Sequence, residues 1–230
     1  MMNHEYQDIP LQRLENGNSN IASESIVQES IIVLHCMNMK GEVQPHVTLL
    51  GTPTAITQLH AGHLFCEGLT QEIPSVESIQ TKTMDGEVNS YYNSILIDQP
   101  ENRLITTSCG ACNHPDLSVY SIHGTQNSLS VNFSHDDLKR ALDTMRSKMI
   151  LFQKTGGCHG AALLDSSGDV AYVSEDIGRH NAFDKVIGGA LRSDLPREII
   201  GLSGRIGWEL VAKGVRSGVE IIVAVGAISS

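Results

Sequence analysis

Hydrophobic residues along this chain repeat first with the period of strands, then of helices, then in alternation of the two. Residues 1–23 are polar with no sustained period and predict a flexible arm. Glu24–Cys36 and Val43–Leu50 predict strands. Thr52-Pro53 has the form of an N-cap followed by proline at the first helical position, and Ile56, Leu59 and Leu64 then recur at helical spacing until Gly68 closes the helix. Val76–Met84 and Glu87–Asp98 predict a hairpin turning at Asp85-Gly86. After an irregular stretch, Ser134-His135-Asp136-Asp137 has the form of a capping box, and Leu138, Ala141, Leu142, Met145, Met149 and Phe152 lie on one helical face behind it. The remainder predicts a hairpin (Ala161–Leu164 and Val170–Val173), a helix over Asn181–Leu191, a strand at Ile199–Leu202, a helix at Gly204–Val215 and a strand at Glu220–Val225. Strand–helix–strand alternation there implies a parallel α/β layer. The expected organisation is an arm over 1–23, an α+β domain over 24–133 and an α/β domain over 134–230.

Composition narrows the function classes. At 230 residues, 40% hydrophobic and 18% charged, the chain has enough apolar material for a packed core. Aromatic residues are only 4%, which argues against a base-stacking nucleic-acid platform. A net charge of −10 argues against general phosphate-backbone binding, so no nucleic-acid partner is expected. That charge is uneven: residues 1–149 carry 8 basic and 17 acidic side chains, whereas residues 150–216 carry 8 of each. Thirteen of the 21 glycines follow residue 155, so the second half can bring backbone close to an anionic ligand. The odd count of five cysteines is unlike a secreted disulfide framework. The N-terminus lacks a basic segment followed by an apolar one, and the longest apolar run, Ile221–Ile228, is too short for a membrane span. These features predict a cytoplasmic protein without a membrane partner.

Three constellations carry candidate chemistry. Cys109-Gly110-Ala111-Cys112 could form half a zinc site, a redox pair or a sulfur-carrying thiol. A zinc ribbon needs a second ligand pair, which His114 and His123 do not supply in the usual spacing, so no metal is expected. His114-Pro115-Asp116 also interrupts the helix that a thioredoxin-like motif requires. A loop thiol that accepts sulfur and hands it on fits the context best. The second constellation joins Thr155-Gly156-Gly157-Cys158-His159 to Glu175-Asp176-Ile177-Gly178-Arg179-His180-Asn181 and Lys185, where a helix start favours anions. The third is Ser203-Gly204-Arg205, expected where a strand enters a helix, with Arg205 suited to a phosphate. Either of the last two alone reads as a capped helix with solvated charges; their neighbouring strand–helix junctions together suggest an anion or nucleotide pocket.

The hairpin-then-helix order resembles the zinc deaminases, but no histidine is followed two positions later by Glu and no Pro-Cys occurs, so zinc-water hydrolysis is not expected. The stretches TPTAITQLHAGHLFCEG, SCGAC, FQKTGGCHGAALLDSSG, EDIGRHNAFDKVIG and SGRIGWELVAKGVRSGVEIIVAVGAISS closely resemble the formate dehydrogenase accessory sulfurtransferase family, FdhD. The resemblance implies a cytidine-deaminase-like three-layer α/β domain with a smaller N-terminal α+β domain. It implies a sulfurtransferase that takes sulfur from a cysteine desulfurase as a persulfide and passes it to the bis-(guanine dinucleotide) molybdenum cofactor for formate dehydrogenase. Matched onto this chain, Cys109 carries the persulfide, and Cys112 either protects it or expels the sulfur. The TGG, GRHN and SGR segments, with His159 and Lys185, are assigned to the cofactor's phosphate or guanine groups. A homodimer is also expected. Asn113 stands where the family usually has Gly, Cys158 stands where the family needs no thiol, and family members continue past the position of Ser230 with a segment that helps bind cofactor. Two rival readings remain at this level, a CxxC redox or zinc-binding regulator and a nucleotide-binding module without chemistry.

Overall fold

Two sheets face each other across a pair of helices. The computed structural model describes residues 5–96, 103–105 and 133–228. The N-terminal sheet runs in the order β5-β6-β3-β4-β7, built from β3 (Ser30–Met37), β4 (Val43–Gly51), β5 (Gln80–Met84), β6 (Glu87–Ile95) and β7 (Arg103–Ile105). Helix α1 (Ile56–Cys66) covers one face, with Ile56 and Leu59 packed on Ile32, Leu34, Val47 and Leu49. The second sheet runs β11-β10-β8-β9 from β8 (His159–Leu164), β9 (Val170–Asp176), β10 (Ile199–Leu202) and β11 (Ile221–Ala224). On one face lies α2 (His135–Lys148), whose Ala141 and Met145 pack with Ala162, Leu164 and Ile199. On the other lie α4 (Arg179–Ser193) and α5 (Trp208–Ser217), with Phe183, Val186 and Ile187 at the centre of the largest core. This half is the three-layer α/β arrangement expected, with a hairpin leading into α4.

Helices α1 and α4 join the halves, and glycine makes the approach close. A Cβ on Gly62 would stand 1.8 Å from the Asp184 carbonyl oxygen, and one on Gly188 would stand 1.9 Å from that of Gln58. No side chain fits at either crossing point.

The structure corrects several sequence expectations. The arm is not irregular: β1 (Tyr6–Glu15) and β2 (Asn18–Val27) form an antiparallel hairpin. Its turn is Asn16-Gly17, both at positive φ (50° and 81°), the pairing that a two-residue hairpin turn favours. Few apolar residues on either face hid the strand period. Helix α1 starts not at Pro53 but at Ile56, because Thr52 is committed to tertiary hydrogen bonds described below. The helix expected through Phe152 breaks at Met149, and α3 (Ile150–Thr155) begins anew. Glu175 on β9 causes the break by accepting from the Leu151 and Phe152 amides at 2.9 and 2.8 Å. Helix α5 begins at Trp208 rather than Gly204; Ser203–Gly207 instead forms a loop in which the Ile206 amide donates to the Ala227 carbonyl. The sheet is mixed, since β10 pairs parallel with β11 but antiparallel with β8. The capping box on α2 is present as read, with the Asp137 amide donating to Ser134 Oγ, and Asp85-Gly86 turns the β5–β6 hairpin.

Candidate functional site

A cavity of about 460 Å³ opens at the end of the second sheet where β8 begins and β10 ends. Its walls include Met145, Met149 and Phe152 on the apolar side and Gly156, Gly157, His159 and Ser203 on the polar side. Gly156 is the left-handed C-cap of α3 (φ 64°), so the chain turns there and presents two residues of bare backbone. Ser203 is held in place from both sides: its Oγ accepts from the Gly160 amide at 2.9 Å, and its own amide donates to the Gly160 carbonyl at 3.0 Å. Thr155 closes the α3 turn by donating to Leu151 O and accepting from the Gly157 amide. Gly204 allows a close approach of three segments, since a Cβ there would lie 3.0 Å from His159 Nδ1 and 3.6 Å from the Arg179 Cβ. The structure therefore brings together Thr155, Gly156, Gly157, His159, Arg179, Ser203 and Gly204, as read from the sequence. Arg205 is exposed beside them but stands in a loop, so no helix N-terminus supports it.

Arg179 and His180 start α4 behind a Gly178 N-cap that offers no side-chain oxygen. Arg179 Nε and His180 Nε2 are buried without a hydrogen-bond partner among the described residues. Burial, reinforced by the Lys213 and Arg179 charges, pushes the His180 imidazole down to about 4. Burial and the Arg179 guanidinium likewise lower His159. Both rings are thus neutral at pH 7, and the guanidinium carries the local positive charge. A buried guanidinium nitrogen without a partner, next to a glycine-walled cavity large enough for a nucleotide-sized group, fits an anionic ligand. Among the described residues no group of His, Cys, Asp and Glu is placed to hold a metal ion.

Asn181 and Lys185, from the same motif, turn the other way. Lys185 Nζ lies 2.6 Å from Asp176 Oδ2 with both side chains fully buried, and it donates to the Thr52 carbonyl at 2.9 Å. Asp176 also accepts from the Thr52 and Gly178 amides and from Asn181 Nδ2, which reaches the Leu50 carbonyl as well. These contacts lock the end of β4 onto β9 and α4. They hold the fold and do not face the cavity. A second buried set, in which Lys213 pairs with Asp184 at 2.7 Å and Glu67 at 2.9 Å, ties α5 to α4 and α1. Sequence reading missed both sets, because each closes across the chain, from Thr52 to Asp176 and Lys185 and from Glu67 to Lys213; the charged positions at core spacing in α4 were the available signal.

Cys109 and Cys112 lie outside the described residues. The other three cysteines are all buried. Burial pushes the Cys36 thiol up to about 12. Cys66 is raised by burial and by Asp184. Cys158, raised by burial and Glu175, donates to that carboxylate at 3.4 Å. Cys158 is packed as a small buried residue, 6% exposed.

The fold and site define an α/β protein with a mixed, helix-covered second sheet and a glycine-walled cavity at its end. The family model of the FdhD/NarQ family matches residues 35–230. Sulfur carrier protein FdhD of Thermoplasma acidophilum is 31% identical over 224 residues, covering 94% of this chain and 79% of the relative. That of Sulfurisphaera tokodaii is 30% identical, covering 95% and 84%. A crystal structure described as a formate dehydrogenase accessory protein from Desulfotalea psychrophila superposes with a TM-score of 0.73 over 98% of this chain and 86% of its own, at 19% identity, a likeness of fold. The chain belongs to the FdhD/NarQ family. Among the described residues no helix is long and apolar enough to cross a membrane.

Proposed function

We propose that this chain is a sulfurtransferase that carries sulfur on Cys109 from a cysteine desulfurase to the bis-(guanine dinucleotide) molybdenum cofactor for formate dehydrogenase. The observation that carries the reading is the state of the other thiols. Cys36, Cys66 and Cys158 are buried and held protonated, so none is a nucleophile at pH 7. That leaves the CxxC pair of a chain whose relatives are named sulfur carriers. In the loading step the Cys109 thiolate attacks the outer sulfur of the donor persulfide. The donor S–S bond breaks, the donor thiolate leaves with the electron pair, and Cys109 becomes a persulfide. For delivery, the Cys112 thiolate attacks the inner sulfur, forming the Cys109–Cys112 disulfide and expelling the outer sulfur as hydrosulfide. A thiol reductant then restores the pair. The cofactor is cargo, and its phosphates suit Arg179, the Gly156-Gly157 backbone and Ser203, while Phe152 and Met149 suit a guanine face.

The test is mass spectrometry after incubation with a cysteine desulfurase and cysteine. Cys109 is expected to gain one sulfur atom, and Cys109→Ala is expected to abolish both that gain and formate dehydrogenase sulfuration while the protein stays folded. Sulfur found on Cys158 instead, or full sulfuration by Cys109→Ala, overturns the reading.

A further inference from the structure

Glu175 does not line the glycine-walled cavity, yet its carboxylate bonds to both of the cavity's walls. Met149 and Phe152 form the helical wall, and Gly157, Cys158 and His159 form the wall that leads into β8. Glu175 Oε1 accepts from the Phe152 amide at 2.8 Å and from the Cys158 thiol at 3.4 Å, while Oε2 accepts from the Leu151 amide at 2.9 Å. A single oxygen thus sets the spacing between the two walls. Burial, with the Glu175 charge added, pushes the Cys158 thiol up, so it keeps its proton and is the donor in that contact.

The helical wall cannot hold itself. Helix α3 has six residues, well under the dozen or so at which an isolated helix becomes even marginal. Its N-cap, Met149, has no side-chain oxygen, so the Leu151 and Phe152 amides need an acceptor from outside the helix, and Glu175 is that acceptor. The strand ladder brings it within reach. Glu175 stands opposite Gly160 on β8, and a Cβ on Gly160 would lie 2.6 Å from the Met149 Sδ. The bare position admits Met149 at the break between α2 and α3, and the carboxylate beside it starts the new helix. Gln153 bridges the same break by donating to the Arg146 and Ser147 carbonyls at 3.2 and 2.7 Å. Those bonds tie α3 to α2, not to the strand wall.

We propose that Glu175 is a positioning residue for the cargo, its carboxylate holding the Phe152 wall and the Cys158 wall at the separation that one guanine nucleotide fits. The proposal rests on the reading of this cavity as the cargo site. Phe152 suits the guanine face, and the backbone of Gly157, directly before Cys158, suits the phosphates. The distance between them decides whether one nucleotide meets both, and a shift of about 1 Å is enough to lose that fit.

The test is calorimetry on the full chain with guanosine diphosphate, joined to peptide-resolved alkylation by iodoacetamide. Glu175→Ala is expected to weaken nucleotide binding by about tenfold or more, and Glu175→Gln, which keeps one acceptor oxygen, by about threefold. Ser134→Ala removes the cap of α2 at its other end and is expected to leave the affinity unchanged. Without nucleotide, Glu175→Ala is expected to speed alkylation of Cys158 by about tenfold, while Cys36 and Cys66 keep the wild-type rate. An equal loss of affinity in Ser134→Ala, no faster alkylation of Cys158, or equal acceleration of all three thiols overturns the role. Nucleotide binding that survives intact in Glu175→Ala overturns this proposal alone; no binding by the wild type overturns the cargo reading and this proposal with it.

Discussion

One segment, Glu175–Lys185, supplies two regions of opposite chemistry. Toward the seam between the sheets, Asp176, Asn181 and Lys185 are buried and fully paired. At the start of α4, Arg179 and His180 keep buried nitrogens without a hydrogen-bond partner among the described residues, with the Arg179 Cβ close to Gly204. The difference shows that a charged motif divides its labour by direction. Charges that meet partners inside hold the halves together, and a buried nitrogen that finds none marks where a ligand is best sought. Charge density along the sequence therefore overstates the site, and satisfaction of hydrogen bonds is the better guide.

The comparison can be broken most sharply at the seam. Lys185→Ala leaves the Asp176 carboxylate buried without its cation and is expected to cost about 3–5 kcal/mol in urea unfolding. A loss below about 1 kcal/mol would mean that the pair does not hold the fold. Gly188→Ala should follow, because its methyl group meets the Gln58 carbonyl at 1.9 Å. About 1–3 kcal/mol is expected, with α1 shifted away from α4; a neutral result would show that the helices separate freely.

The smallest effect is in pH dependence. His180 is lowered to about 4 by burial and by neighbouring cations, so the unfolded chain binds more protons between about 6.5 and 4, and stability falls as pH drops through that window. Glu67 acts lower. Burial alone would raise it, but Lys213, His63 and Arg216 outweigh that and hold it at about 2, so its contribution is present above about 4.5 and is lost as pH falls toward 2. His180→Gln is expected to shallow the upper step in a Tm-versus-pH series and leave the lower one; Glu67→Gln should do the reverse. A parallel shift of both steps in either variant would show that the two regions titrate as one.

Much of this was legible in the sequence. The capping box on α2, the Asp85-Gly86 turn and strand β10 stood where local chemistry put them. The glycine-walled part of the cavity was also found, because Gly156-Gly157 and Ser203-Gly204 are backbone signals that need no distant partner. Where reading failed, a distant residue had overruled a local preference. Glu175 ended α2 early, and Asp176 with Ile177 drew Thr52 away from capping α1. Asn181 and Lys185 belong to the same class of miss, since nothing in their own neighbourhood told inward from outward. The hairpin at Asn16-Gly17 is different: its turn signal was present, and the polar strands around it masked the message.

The crossing of α1 over α4 has a consequence for synthesis. Thr52 waits for Asp176, 124 residues downstream, and Gly62 for a helix just beyond it. At ordinary ribosomal speeds of about 5–20 residues per second, the N-terminal sheet and α1 stand exposed for roughly 6–25 s before α4 emerges to cover them. During that interval His63 and Cys66 on the inner face of α1 lack Asp184 and Ser217, their partners on α4 and α5.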